Sequence, residues 1–280
     1  MKISTGTLIC CQDISEKRLA CYQQIGLNVL QIAGVDERYL APGEEAAKRS
    51  GELFALLKKY SFEVPCMFLS YPEQDWANPC ETVGLTPEKF RSERMILSCR
   101  QMLWAKQYGI RYISCHVGFF PEKGSGAYDK IVKEMRQLVL FAEFNGLKFL
   151  FETGMESALV LKEFFTDIEP AQPGINFDPA NLLIYDQDDP EAFLDVLEDR
   201  VEVVHCKDAV RPQAGSRRGK ETVLGEGETN FSKLLVRLLK NGFSGYPVIE
   251  RELPPGPEQE CDIANAVKLI KQIYLENKND

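Results

Sequence analysis

The stretch VEVVHCKD, Val201–Asp208, is an apolar strand that ends in a histidine, a lysine and an aspartate. Three other short apolar runs also finish in a single ligand-type residue: FLFE at Glu152, INFD at Asp178 and PVIE at Glu250. Side chains alternate along a strand, so a residue two positions before a ligand shares its face. Val201, Val203 and His205 therefore point one way and Cys206 the other. By the same rule Leu150, Asn176 and Val248 lie beneath Glu152, Asp178 and Glu250. Four apolar-backed strand tips carrying three carboxylates and an imidazole point to a metal held over the C-terminal mouth of a parallel barrel.

Working outward from this stretch, strand-like runs alternate with helix-like segments eight times. Strands are expected at Lys2–Ile9, Asn28–Ala33, Phe62–Ser70, Arg111–His116, Lys148–Glu152, Gly174–Asp178, Val201–Lys207 and Tyr246–Glu250. Helices are expected at Ser15–Ile25, Glu44–Tyr60, from Thr86 to Tyr108, over a long segment ending near Asn145–Gly146, at Ser157–Asp167, Pro190–Asp199, Phe231–Asn241 and Cys261–Leu275. Thr86 reads as an N-cap with Pro87 at the first helical position, and Gly26, Gly109 and Gly146 read as helix stops. Eight uninterrupted β-then-α units give an α/β fold, a single (β/α)8 TIM barrel. A doubly wound nucleotide fold would carry GxGxxG after its first strand, whereas LICCQD stands there. No Gly-, Pro- or Ser-rich linker divides the chain, so residues 1–280 read as one domain.

The chain has 280 residues, 44% of them hydrophobic, which suits one large core. Its net charge of −9 argues against a nucleic-acid partner, which needs lysines and arginines to neutralise phosphates. The nine cysteines are odd in number, scattered and without a CxxC, and they read as reduced thiols. The apolar part of MKISTGTLIC is too short for a signal peptide, and no run is long enough to span a membrane. A cytoplasmic protein is the expectation.

One histidine and three carboxylates make a mixed nitrogen and oxygen site. It suits Mn²⁺ first, with Mg²⁺, Co²⁺ or Zn²⁺ as alternatives; thiolates would have pointed to zinc. Taken singly, each residue has a plain structural use, as a helix cap, an ion-pair partner or a core histidine. Four on successive strands favour one shared divalent metal ion. The metal would be bound by Glu152, Asp178, His205 and Glu250.

The runs NFDPAN, VHCKDAVR, LGEGETNF and VIERE resemble the xylose-isomerase-like barrels. That superfamily includes sugar-phosphate isomerases and epimerases, ketose 3-epimerases, inosose-processing enzymes and tri-zinc apurinic endonucleases. Its Glu–Asp–His–Glu ligand order is matched here by Glu152, Asp178, His205 and Glu250. The resemblance implies a divalent-metal-dependent isomerase or epimerase acting on a small carbohydrate, sugar phosphate or keto-polyol, with proton abstraction next to a metal-bound carbonyl. Glu152 and Glu250 are then the catalytic acid/base pair. The alternative is a lyase, a dehydratase of the inosose or dehydroshikimate type, working on the same metal. A nuclease of the endonuclease type needs several more histidines than the two present.

Other residues are expected at the substrate. His116 ends the fourth strand and either meets a substrate hydroxyl or supports the ligands. The resemblance places Arg211 on substrate oxygens. Lys207 and Asp208 either orient substrate or pair with each other. Asn181 stands where the epimerases carry a histidine, and Ala158 where they carry a glutamate, with Glu156 nearby. Arg217, Arg218 and Lys220 form either a phosphate site or an exposed basic turn. Tyr71, Trp76, Phe119 and Phe120 form either an apolar wall over a sugar or a contact between copies in a homo-oligomer.

Overall fold

Eight strands form a closed, all-parallel ring in the computed structural model, which describes residues 4–277. They are β1 (Gly6–Cys10), β2 (Val29–Ala33), β3 (Glu63–Phe68), β4 (Tyr112–Cys115), β5 (Lys148–Glu152), β6 (Gly174–Phe177), β7 (Val201–Cys206) and, after a short hairpin, β10 (Tyr246–Ile249). The hairpin pairs β8 (Asp208–Val210) with β9 (Lys220–Thr222) in antiparallel fashion. The ring closes where β1 lies against β10, and every neighbour in it is parallel. This is the expected (β/α)8 barrel. The expected first strand began at Lys2, but Lys2 and Ile3 lie outside the described residues.

Strand alternation sorts the side chains into two apolar layers. Cys66, Leu150, Val203 and Val248 meet inside the barrel, fully shielded. Val204, Cys206, Phe149, Phe151 and Phe177 face the helices in a larger shell. The helix Phe231–Lys240 shows how that shell is built. Phe231, Leu234, Leu235 and Leu238 recur at helical spacing on its buried side, while Arg237 and Lys240 sit in its last turn, where the helix dipole favours cations. Truncating the fully buried Leu235 to alanine would cost about 2–5 kcal/mol. Ser15 caps the first helix by accepting from the Arg18 amide, as its position in the sequence suggests.

Several local expectations change. The helix expected to be capped by Thr86 begins at Glu88, with Pro87 in the cap position. The Leu85 and Thr86 amides both donate to Val117 O, at 2.6 and 3.0 Å, which pins that segment to the loop after β4. The last helix starts at Pro257 rather than at Cys261. Strand β6 ends at Phe177, because Asp178 has become the N-cap of a six-residue helix, Pro179–Ile184, that the apolar pattern alone did not reveal. All nine cysteines are free. Among the described residues, no helix is long and apolar enough to cross a membrane.

Candidate metal centre

The strand register brings the four expected ligands together. Glu152 pairs with Asn176 across β5 and β6, Asn176 with Val203 across β6 and β7, and Val248 with His205 across β7 and β10. Asp178 and Glu250 each follow a strand directly. One ligand atom from each of Glu152, Asp178, His205 and Glu250 lies within 4.8 Å of all the others. His205 Nδ1 stands 3.0 Å from Glu152 Oε1, 3.5 Å from Asp178 Oδ2 and 2.8 Å from Glu250 Oε2.

Local chemistry fixes each ligand. The Asp178 carboxylate divides its work: Oδ1 accepts the Asn181 amide at the helix start, and Oδ2 turns into the cluster. Thr153 Oγ1 accepts from the Asp178 amide at 2.7 Å and donates to Asp178 O at 2.8 Å, tying the end of β5 to that of β6. Gly154 follows with a φ of +138°, and a Cβ there would lie 2.4 Å from the Asn181 Cβ. Only glycine lets the turn after Glu152 approach Asn181 so closely.

The imidazole is held from behind. His205 Nε2 donates to Gln31 Oε1 at 2.7 Å, and Gln31 Nε2 contacts Cys66 Sγ, which sets the amide's orientation. The Asn176 side chain lies 2.9 Å from the same ring nitrogen. The Gln31 carbonyl calls for a proton on Nε2, so Nδ1 is the ring atom turned to the carboxylates and the one a cation would take. Gln31 was not foreseen, although a lone amide inside the apolar run VLQIA signals it.

The donor set fits a divalent cation. Glu152 Oε2, Asp178 Oδ2, His205 Nδ1 and Glu250 Oε2 are all shielded from solvent and lack a well-formed hydrogen bond. Buried polar atoms are ordinarily satisfied, so unsatisfied atoms converging on one point mark the place of a missing charge. Burial alone would push the Glu152 carboxyl up, but His116 and His205 hold it well below the usual carboxylate range. Burial would likewise lower His205, yet Glu250, Asp178 and Glu152 keep it well above the usual histidine value.

The remaining expected residues divide. His116 Nε2 lies 2.8 Å from Glu152 Oε2, so this side chain joins the centre. Lys207 is 1% exposed, and its ammonium reaches Glu252, Glu250 at 3.5 Å and Asp178 at 3.6 Å. Asn181 bridges Lys207 Nζ at 3.3 Å and Glu152 Oε1 at 3.4 Å. Asp208 is not brought to the ligands and does not pair with Lys207. Its carboxylate accepts from the amides of Gly225, Gly227 and Thr229 and from the Thr229 hydroxyl, and so organises the LGEGET turn. Arg211 is likewise drawn away: its guanidinium pairs with Asp186 and Asp189 beyond the Pro179–Ile184 helix. Among the aromatics, Tyr71 is core, its hydroxyl 2.9 Å from Ser98 Oγ, and Phe120 stacks on Phe164 at 4.1 Å. The Glu156 carboxyl accepts the Phe120 amide, and burial pushes it up to about 7.

The sequence model of the xylose isomerase-like TIM barrel family matches residues 20–273. The chain belongs to that family. A xylose isomerase domain protein from Planctomyces limnophilus superposes with a TM-score of 0.89 at 26% identity, covering 100% of this chain and 99% of that one. A D-tagatose 3-epimerase-like protein superposes with a TM-score of 0.72 at 18% identity, over 98% and 99% of the two chains, and that likeness speaks for the fold alone. Among curated sequences, an inosose dehydratase of Lactiplantibacillus plantarum is 27% identical over 167 residues, 54% of this chain and 55% of that protein. The chain thus spans about half the length of the curated relatives it matches.

Proposed function

We propose that this protein is a divalent-metal-dependent dehydratase that removes water from a small polyhydroxylated ketone of the inosose kind. The observation that carries this reading is the unequal setting of the two catalytic carboxylates. Glu152 has an imidazole on one oxygen, that of His116 at 2.8 Å, and its side chain is 1% exposed. Glu250 is more open, 14% exposed, and the imidazole 2.8 Å from its Oε2 is that of His205, itself one of the four expected ligands. Elimination needs one base for the proton beside the carbonyl and one acid for the departing hydroxyl.

Glu152, Asp178, His205 and Glu250 would hold the ion. When bound, such an ion polarises the substrate carbonyl and makes the neighbouring carbon acidic. Glu250 takes the proton from that carbon through the oxygen left free. His116 gives the Nε2 proton, which Glu152 orients, to the leaving hydroxyl, and water departs. Lys207 and Asn181 fix Glu250 and Glu152 in place. The half-length matches to inosose dehydratases support this outcome.

Isomerisation or epimerisation is the second reading. Glu152 and Glu250 come from strands that flank Asp178 and His205, an arrangement suited to proton removal on one face and return on the other. Incubation of the Mn²⁺-loaded protein with inososes and ketoses in deuterated water separates the two. The expected product is lighter by one water. A product of unchanged mass with deuterium beside the carbonyl would replace elimination by epimerisation, and no exchange into any polyol ketone would remove both.

A further inference from the structure

A cavity of about 410 Å³ adjoins the metal centre, lined by Trp76, Phe119, Tyr185, Arg217 and Arg218 among others. The Trp76 ring meets the His116 ring edge-on, with centroids 5.2 Å apart, and His116 in turn contacts Glu152. Tyr185 closes the helix that Asp178 opens. The cavity is thus joined through two of its own walls to two of the four ligands. Phe119 stands edge-on to Tyr185 at 6.0 Å, so its sides are apolar and aromatic, fit for the carbon face of a polyol ring.

The wall also carries Asn78, Glu81, Arg217 and Arg218, and of these Arg218 is set apart by its packing. Its guanidinium sits over the Tyr185 ring, 4.9 Å from the centroid, and its Nη2 is shielded from solvent with no hydrogen-bond partner. Among the described residues it forms no ion pair, whereas Arg211, Arg237 and Arg251 each hold carboxylates. Glu81, also on the wall, pairs with neither arginine. A cation–π contact is weak at such a place and leaves most of the guanidinium donors unused.

The position is built rather than loose. Ser216 Oγ donates to Arg218 O and accepts from its amide. The next residue, Gly219, donates to Ile184 O at 2.9 Å, and a Cβ on it would fall 2.3 Å from Val210 O. Strand β9 begins immediately after. The turn is locked between the hairpin and the Pro179–Ile184 helix, so the arginine is presented on a fixed support.

We infer that this cavity receives an anionic oxygen group, carboxylate or phosphate, and that Arg218 selects a substrate carrying one over a neutral polyol. The inference rests on the metal-dependent reading above and narrows its substrate class. A guanidinium fork matches either anion in two-point contact and rewards it far more than a hydroxyl.

Calorimetric titration of the Mn²⁺-loaded protein with three cyclitols tests it: myo-inositol, inositol monophosphate and the carboxylate quinate. One of the two anions should bind at least about tenfold tighter than inositol. The anion that wins tells phosphate from carboxylate. Arg218→Ala should bring the anions down to the level of inositol, and Arg218→Lys should keep part of the advantage. Equal affinity for all three, no binding of either anion, or an advantage that survives Arg218→Ala would overturn the inference. Failure to take up Mn²⁺ would instead strike at the metal reading, and the same titration without metal still decides on Arg218.

Discussion

The two ends of the barrel use the same residue types in opposite ways. At the N-terminal end, Glu202 is held by Lys148 and by the Tyr112 hydroxyl, and Tyr246 donates to Glu63. A hollow of about 570 Å³ opens there among Asp195, Glu198, Glu202 and Arg237, and Arg237 is paired with both Asp195 and Glu198. At the C-terminal end, Glu152, Asp178 and Glu250 converge more deeply buried and keep unpartnered oxygens. The contrast separates carboxylates that hold the fold from carboxylates placed where they could hold an ion. Burial with an unmet bond marks the second kind, and the number of charges does not.

The largest break in that contrast should come from Glu152→Gln and Glu250→Gln. Each is expected to cut exchange of the proton beside the carbonyl by about a hundred- to ten-thousand-fold, with circular dichroism unchanged. Full exchange retained in Glu250→Gln would remove that residue as the base, and full exchange retained in Glu152→Gln would remove its part in holding the ion. Next comes the ion itself. Mn²⁺ at about 100 times its dissociation constant should add about 2.7 kcal/mol to unfolding stability.

The pH dependence of that gain has a definite sign. His205 is raised in the folded protein, so its contribution is fully present below its unfolded value of about 6.5 and is lost as pH climbs through the folded value. A bound cation takes the place of the Nδ1 proton, and the loaded protein escapes this loss. The difference in melting temperature between loaded and metal-free protein should therefore widen as pH rises above about 6.5. A constant gap would contradict the role given to Nδ1.

A smaller effect is expected behind the ligands. Gln31→Leu removes the acceptor of His205 Nε2 and should weaken Mn²⁺ binding about 10- to 100-fold without exposing the site. The smallest belongs to the opposite end. Glu202→Gln should change stability by no more than about 1 kcal/mol and leave turnover alone, because its partners are partly solvated. A large loss of activity in this variant would erase the distinction between the two ends.

Much of the fold was legible because strand and helix periods are local. The eight units and the inward faces of Leu150, Val203 and Val248 follow from alternation alone, and the four ligands follow from their place at strand tips. What stayed hidden depends on partners distant in sequence. Nothing in VHCKD says that Asp208 will be claimed by amides at 225–229, or that Arg211 will be drawn to Asp186. The Thr86 cap failed because the loop at Val117 holds the Leu85 and Thr86 amides and the helix begins two residues later, at Glu88. Arg218 looked like a basic turn, and only the packing of Gly219 shows it to be a fixed one.

The Asp208 anchor has a consequence for altering this protein. It grips the segment at 225–229 mainly through main-chain amides, and a Cβ on Gly227 would fall 2.2 Å from Asp208 Oδ1, so the glycine there is fixed by the grip. Glu226 is thus the carboxylate of this segment that can be exchanged at least cost, whereas Glu228 is held by the Arg211 amide at 2.9 Å and the aspartate and the threonine hydroxyl must be kept.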